Sequence, residues 1–247
     1  MSSWDFMLKG INLRGLVIMD AGTGAANTTC WLANKVREAG SGRIISIDND
    51  PETFPDAERK LGEVAGLVEF VKADLTNLPQ IESESIDLIV CHATMCAVND
   101  RPLKAVKALS EFYRILKKDG WLIIADEYPL PKASKPEEEV QVGRWQTYKA
   151  MAELVNGEHY TEISPEELEF AVKLVGFTNI ELQRFEDGPL SSEVMEEWKE
   201  EMPDLVNKIA DNDFKAAFEK AIERIWQKYI NQGGIFPDYY VIRARKR

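Results

Sequence analysis

The chain is 247 residues long and carries 30 Lys and Arg against 42 Asp and Glu, a formal charge of −12. Such a length buries a substantial core as one large domain or two small ones, and 45% apolar with 29% charged residues is a globular composition rather than a disordered one. No run reaches the roughly 18 apolar residues of a membrane span, and an acidic chain repels the phosphates on which nucleic-acid affinity is built, so neither a membrane nor a nucleic acid is an expected partner.

In chain order, Leu16 to Met19 is a short apolar strand that runs into Asp20-Ala21-Gly22-Thr23-Gly24, a tight turn. A helix follows with Leu32, Val36 and Ala39 on one face, and Gly40 stands where a left-handed residue ends a helix. Arg43 to Asp48 is a second strand, Pro51 opens a helix to about Val64, and Val68 to Asp74 is a third strand. Ile86 to His92 is nearly continuous in apolar residues, as a strand buried on both faces must be. Pro102 is expected to start a helix bearing Leu103, Val106, Leu109, Phe112 and Leu116 that stops at Gly120. Trp121 to Asp126 is the fifth strand. Beyond it the pattern loosens, with prolines at 129, 131 and 136 and a helix near Val142 to Val155. Ser164-Pro165-Glu166-Glu167 is a capping box opening a helix that ends at Gly176. Asn179 to Phe185 alternates as a strand. Two helical stretches follow, the second with Phe214, Ala217, Phe218, Ala221, Ile222, Ile225 and Tyr229 on one broad face, before a last strand, Tyr239 to Arg243. Strands alternating with helices predict an α/β fold with a mostly parallel sheet and helices on both faces.

Chemistry concentrates at the strand ends. Gly22 and Gly24 let the backbone turn sharply and approach a ligand that side chains would block, and the next helix offers free N–H groups. A dinucleotide fingerprint needs a further glycine three residues on, where Asn27 stands. Asp48 ends the second strand, where a carboxylate accepts both hydroxyls of a ribose, and Asp74 ends the third, where it suits an exocyclic amine. Ligands of open α/β sheets bind at this carboxyl edge.

These segments, with Ile86 to Val90 and Leu116 to Leu122, fall in the order of the motifs of class I S-adenosylmethionine-dependent methyltransferases, which the chain resembles over about residues 12 to 128 and more loosely thereafter. The resemblance implies a seven-stranded, mostly parallel sheet whose last strand is antiparallel, with S-adenosylmethionine as cofactor. It implies that Asp20, Ala21, Gly22 and Gly24 hold the methionine end, Asp48 the ribose, and Asn49 the adenine face. Asp74 and the Leu75 backbone match the remaining adenine contacts, and Cys91 falls at the edge of the same site. Ala26 replaces a frequent third glycine, and Cys96 and Ala97 stand where many small-molecule members carry histidines.

A sulfonium is an activated methyl donor, so alignment of the acceptor supplies much of the acceleration. A general base is needed only where the acceptor must lose a proton. His92 and Glu127, after the fourth and fifth strands, are the candidate catalytic groups; for His92 the competing use is packing, and His159 is expected at the surface. Cys30, Cys91 and Cys96 are an odd set without metal spacing, which predicts no metal site and fits a reducing cytoplasm. Cys91 and Cys96 read as small core residues, and Trp145 with Tyr148 as a packed aromatic face that could instead line a pocket for a cation. The basic tail, Arg243 to Arg247, reads as a solvated chain end. The expected whole is one methyltransferase domain over 1–247, with helical insertions at 129–163 and 188–232 acting as a lid. Its acceptor is a small molecule, neutral or cationic given the acidic charge. The rival readings are a cofactor-binding subunit that docks a protein, and a nicotinamide-dependent oxidoreductase.

Overall fold

The computed structural model describes residues 2–101, 103–186 and 188–247; Pro102, expected to open a helix, lies outside them. The chain divides into two compact units, the first comprising Met1–Asp126, Ile163–Phe185 and Tyr240–Arg247, the second Glu127–Glu162 and Glu186–Tyr239.

The apolar runs of the first unit form a seven-stranded sheet. Its strands are β1 (Val17–Ala21), β2 (Arg43–Asp48), β3 (Val68–Lys72), β4 (Ile86–His92), β5 (Leu116–Glu127), β6 (Thr178–Phe185) and β7 (Tyr239–Arg245). They lie in the order β3-β2-β1-β4-β5-β7-β6. Six strands are parallel and β7 is antiparallel to them. Successive residues of a strand face opposite sides; Ile18, Met19, Asp20 and Ala21 are all inaccessible, as are Leu88 to Cys91. Both faces are therefore covered, which is why these strands read as unbroken apolar runs.

Helices α2 (Asn27–Ala39), α3 (Phe54–Leu61), α5 (Lys104–Ile115) and α7 (Pro165–Val175) connect the strands, with short α1 (Ser3–Met7) and α4 (Met95–Val98). Leu32 and Val36 of α2 join Phe6 and Met7 of α1 in one apolar cluster on the sheet. Gly40 is left-handed and ends α2, and the expected capping box at Ser164 and Glu167 is fully formed. The helix expected to run to Gly120 stops at Ile115. Leu116 already pairs with Ile86, and Trp121 with Leu88, so residues 117–120 bulge from the ladder. That bulge meets the residue after β7, through Asp119 N–H to Lys246 O and Lys246 N–H to Gly120 O, at 2.8 and 3.1 Å.

The second unit is helical: α6 (Glu139–Asn156), α8 (Ser192–Lys208) and α9 (Asn212–Gln232). Ser191 and Asp211 cap α8 and α9. Its core holds Val140, Met151, Met195, Trp198, Met202, Ile222 and Ile225. Gly143 of α6 lies so near Ile225 of α9 that a β-carbon there would stand 2.9 Å from Cγ1. The apolar face expected along all of α9 is buried only in its later turns, since Phe214 is 51% exposed and Ala217 is also exposed.

The reading of the basic tail as solvated is corrected. Arg243 and Lys246 are buried. The Arg243 guanidinium donates to Lys9 O at 2.6 Å, reaches Glu181 at 3.4 Å, and lies over the rings of Phe6 and Trp121. Lys246 donates to Leu116 O at 2.8 Å and covers Tyr113. Long cationic side chains have apolar stems, and the chain uses them as packing material in β7 and just after it. Arg243→Ala should therefore lower stability by about 2 to 3 kcal/mol, through a lost charge-assisted bond and two ring contacts. Arg247→Ala, at an exposed position, should stay within about 0.5 kcal/mol; urea midpoints of the two variants make the comparison.

Candidate active site

Asp20 ends β1 with no solvent exposure. Its Oδ2 accepts from Thr29 Oγ1 at 2.5 Å and from Ser46 Oγ at 3.3 Å, and Ser46 in turn meets Thr23 Oγ1 at 2.8 Å. Oδ1 has no hydrogen-bond partner among the described residues. Burial pushes the carboxyl up to about 7; the Thr29 and Ser46 hydroxyls oppose that rise and the nearby Asp48 charge adds to it.

Above Asp20 the glycine loop folds back on β2, with the N–H groups of Gly22 and Thr23 donating to Ile47 O at 2.9 and 3.1 Å. Gly22 has a φ of +98°, and a β-carbon on it would lie 2.2 Å from Thr94 Oγ1, so the segment after β4 closes directly onto this glycine. Ala26 also sits in the left-handed region, at φ 59°. An L-residue there carries about 1 to 2 kcal/mol of strain that glycine would not.

Gly24 N–H donates to Asp48 Oδ2 at 2.9 Å, and Asp50 N–H to Asp48 Oδ1 at 3.0 Å. The glycine loop and the acid at the end of β2 thus touch. Asn49 beside them is exposed. Asp74 lies two residues beyond β3, exposed, and Oδ1 takes the N–H and hydroxyl of Thr76, both at 2.8 Å; Leu75 is buried. Cys91 is inaccessible, and burial pushes its thiol well up, so it stays a thiol.

His92 ends β4. Its Nδ1 meets Thr28 Oγ1 at 3.0 Å, and its ring lies edge-on to Trp4, 5.0 Å between centroids. Trp4 also packs on Trp31. Burial holds the imidazole below its ordinary pKa, so it is neutral at physiological pH. Glu127, the last residue of β5, falls in the second unit. His159 is exposed and meets Glu153 at 2.9 Å.

These residues fit an adenosyl cofactor. Asp48 spends one lone pair on each oxygen and keeps another on each for a ribose diol. Asp74 accepts through Oδ1 alone and keeps Oδ2. Nothing lies within 4 Å of the place a β-carbon would take on Gly24, so the backbone there is open to a ligand. The sequence reading missed the hydroxyls beneath the loop and the Trp4 cover. Ser46, a polar residue inside the buried run of β2, was the available signal.

A family profile described as "Methyltransferase domain" matches residues 19–124. A 59-residue segment, 24% of the chain, is 44% identical to the ubiquinone/menaquinone biosynthesis C-methyltransferase of Campylobacter jejuni and spans only 23% of that relative's length. Among solved structures, the YcgJ protein of Bacillus subtilis superposes with a TM-score of 0.63 at 19% identity, covering 98% of this chain and 97% of that one. A phosphoethanolamine N-methyltransferase of Haemonchus contortus, bound to phosphomonomethylethanolamine and S-adenosylhomocysteine, gives 0.59 at 18% identity over 98% of this chain and 51% of its own. The fold is that of the class I methyltransferases. Within that fold, residues 19–124 are the part that the methyltransferase-domain profile matches.

The buried Asp20 gives a pH signature. Its folded pKa lies above the unfolded value of 3.8, so the unfolded chain binds fewer protons between about pH 4 and 7. The stability it contributes is full below that window and is lost as pH rises through about 7. Asp20→Asn should therefore gain relative to the unaltered chain between pH 5 and pH 8, by on the order of a few kcal/mol. Urea midpoints of both proteins across that range make the test; parallel curves would refute it.

Proposed function

We propose that the whole chain transfers a methyl group from S-adenosylmethionine to a small-molecule acceptor, in the cytoplasm. The observation that carries the reading is the bond from Gly24 N–H to Asp48, which joins the glycine loop to a strand-end acid beside it. The net charge of −12 favours a neutral or cationic acceptor over an anionic one.

Asp48 would hold the ribose, the Asp74 carboxylate and Leu75 backbone the adenine, and the backbone from Asp20 and Ala21 to Gly24 the methionine end, with Asn49 and Cys91 at the margins. The cofactor supplies an electrophilic methyl on a sulfonium. The task left to the protein is to align the acceptor and exclude water. We assign the covering of the acceptor to the helical insertions, which enter and leave the chain at the ends of β5 and β6 and the start of β7. Where the acceptor must lose a proton, His92 and Glu127 are the candidate bases. Thr28 engages Nδ1 of His92, so Nε2 would be the working nitrogen.

Calorimetry should find S-adenosylhomocysteine binding at micromolar levels with a raised Tm, and no NADH binding. Asp48→Ala should weaken that binding by about one to two orders of magnitude in a folded protein. An unchanged affinity would refute the role of Asp48, and NADH binding alone would refute the proposed activity.

His92 is tested by pairing a denaturation midpoint with a single-turnover rate in His92→Asn. The tight contacts with Trp4 and Thr28 favour a packing role. The expected outcome is a stability loss of about 1 to 3 kcal/mol with turnover per folded molecule retained. Native stability with a rate lowered roughly 100-fold or more would make the histidine the base.

A further inference from the structure

The glycine loop is gripped by a cation from a neighbouring helix. Lys60 stands in the last turn of α3, where the helix dipole favours a positive charge. Its Nζ donates to Ala25 O at 2.9 Å and to Asn27 Oδ1, at the start of α2. Such a cation gains nothing from α2, whose N-terminal pole repels it, and among the described residues no carboxylate pairs with it. The two oxygens of the loop and the helix start are what hold it.

The grip falls on one peptide. The N–H of the Ala25–Ala26 peptide donates to Thr23 O at 2.7 Å, and its C=O is the group that Lys60 takes. Ala26 follows directly, in the left-handed region at φ 59°. An L-residue there relaxes toward negative φ by rotation of that same peptide. A peptide bonded at both ends cannot rotate without losing both bonds. On the other side of Ala25 lies Gly24, whose N–H meets Asp48 Oδ2 at 2.9 Å. The peptide plane that Lys60 fixes is therefore one residue away from the bond joining the loop to the strand-end acid. Ala26 makes no side-chain cap bond at the start of α2, so the bonds from Thr23 and Lys60 are what oppose its strain.

We propose that Lys60 is a positioning residue for the cofactor. By fixing the Ala25–Ala26 peptide it holds Gly24 N–H on Asp48, and so keeps that carboxylate oriented for the ribose it would bind. The inference rests on the S-adenosylmethionine reading above and adds to it a residue that acts through Asp48.

The test uses the full chain with Lys60→Met, which keeps the stem and removes the donor, and Lys60→Arg, which keeps donor and charge. Calorimetry should find S-adenosylhomocysteine bound about five- to tenfold more weakly by Lys60→Met, and within about twofold of the unaltered chain by Lys60→Arg. The urea midpoint of Lys60→Met should hardly move, since relief of the strain at Ala26 offsets the lost bond. In an Asp48→Ala background, Lys60→Met should cost less than about twofold, because the two residues act as one unit. Without any ligand, the Gly24 amide of Lys60→Met should exchange at least about tenfold faster by NMR. Unchanged affinity, equal losses in the two backgrounds, or a lowered urea midpoint with affinity per folded molecule retained each overturn the assignment. An unaltered chain that does not bind S-adenosylhomocysteine overturns the methyl-transfer reading instead. The Gly24 exchange rates need no cofactor, so they decide separately whether Lys60 holds the loop.

Discussion

Burying a carboxyl group costs several kcal/mol unless hydrogen bonds replace the lost water, and Asp20 recovers part of that cost from hydroxyls drawn from different elements. Thr29 comes from α2 and Ser46 from β2, and Thr23, in the glycine loop, reaches the carboxyl through Ser46. All three are buried with it. The cluster binds strand, neighbouring strand, loop and helix at the point where the cofactor edge begins. Everything above it depends on the loop being held in one shape, including the Gly24 N–H aimed at Asp48 and the Thr94 side chain closing on Gly22. A carboxyl whose pKa is pushed up to about 7 is ionised only in part at physiological pH and carries less of the burial penalty than a fixed anion would.

Much of this architecture was legible because its causes are local. Unbroken apolar runs mark strands covered on both faces, and Gly22, Gly24 and Asp48 mark a loop and a strand end that must meet. The capping box at Ser164 formed as read because both its bonds lie within one turn. What escaped the sequence was decided by distant partners. Leu116 left its helix because Ile86 offered a ladder position, and Arg243 went inward because Phe6 and Trp121 offered ring faces. On α9 the apolar spacing ran further than the neighbours able to cover it, leaving Phe214 exposed.

The two units solve packing differently. The sheet unit relies on branched aliphatic residues with restricted rotamers, among them Ile18, Ile44, Ile47 and Ile89. The helical unit buries Met151, Met195 and Met202 around Trp198. Methionine refills irregular space at little cost, so the second unit can change core residues with less penalty than the sheet.

The place of β7 bears on how the chain is made. β6 is an edge strand, half exposed along its length, and its sole neighbour in the sheet is β7. Between them in sequence lie α8 and α9. On the ribosome, at about 5 to 20 residues per second, β6 would wait roughly three to ten seconds for its partner. Until then β5 also presents an open ladder edge, the kind of surface that recruits chaperones or foreign strands. β7 is thus the wedge that shuts the sheet, so both ladder edges stay open until α8 and α9 have been made.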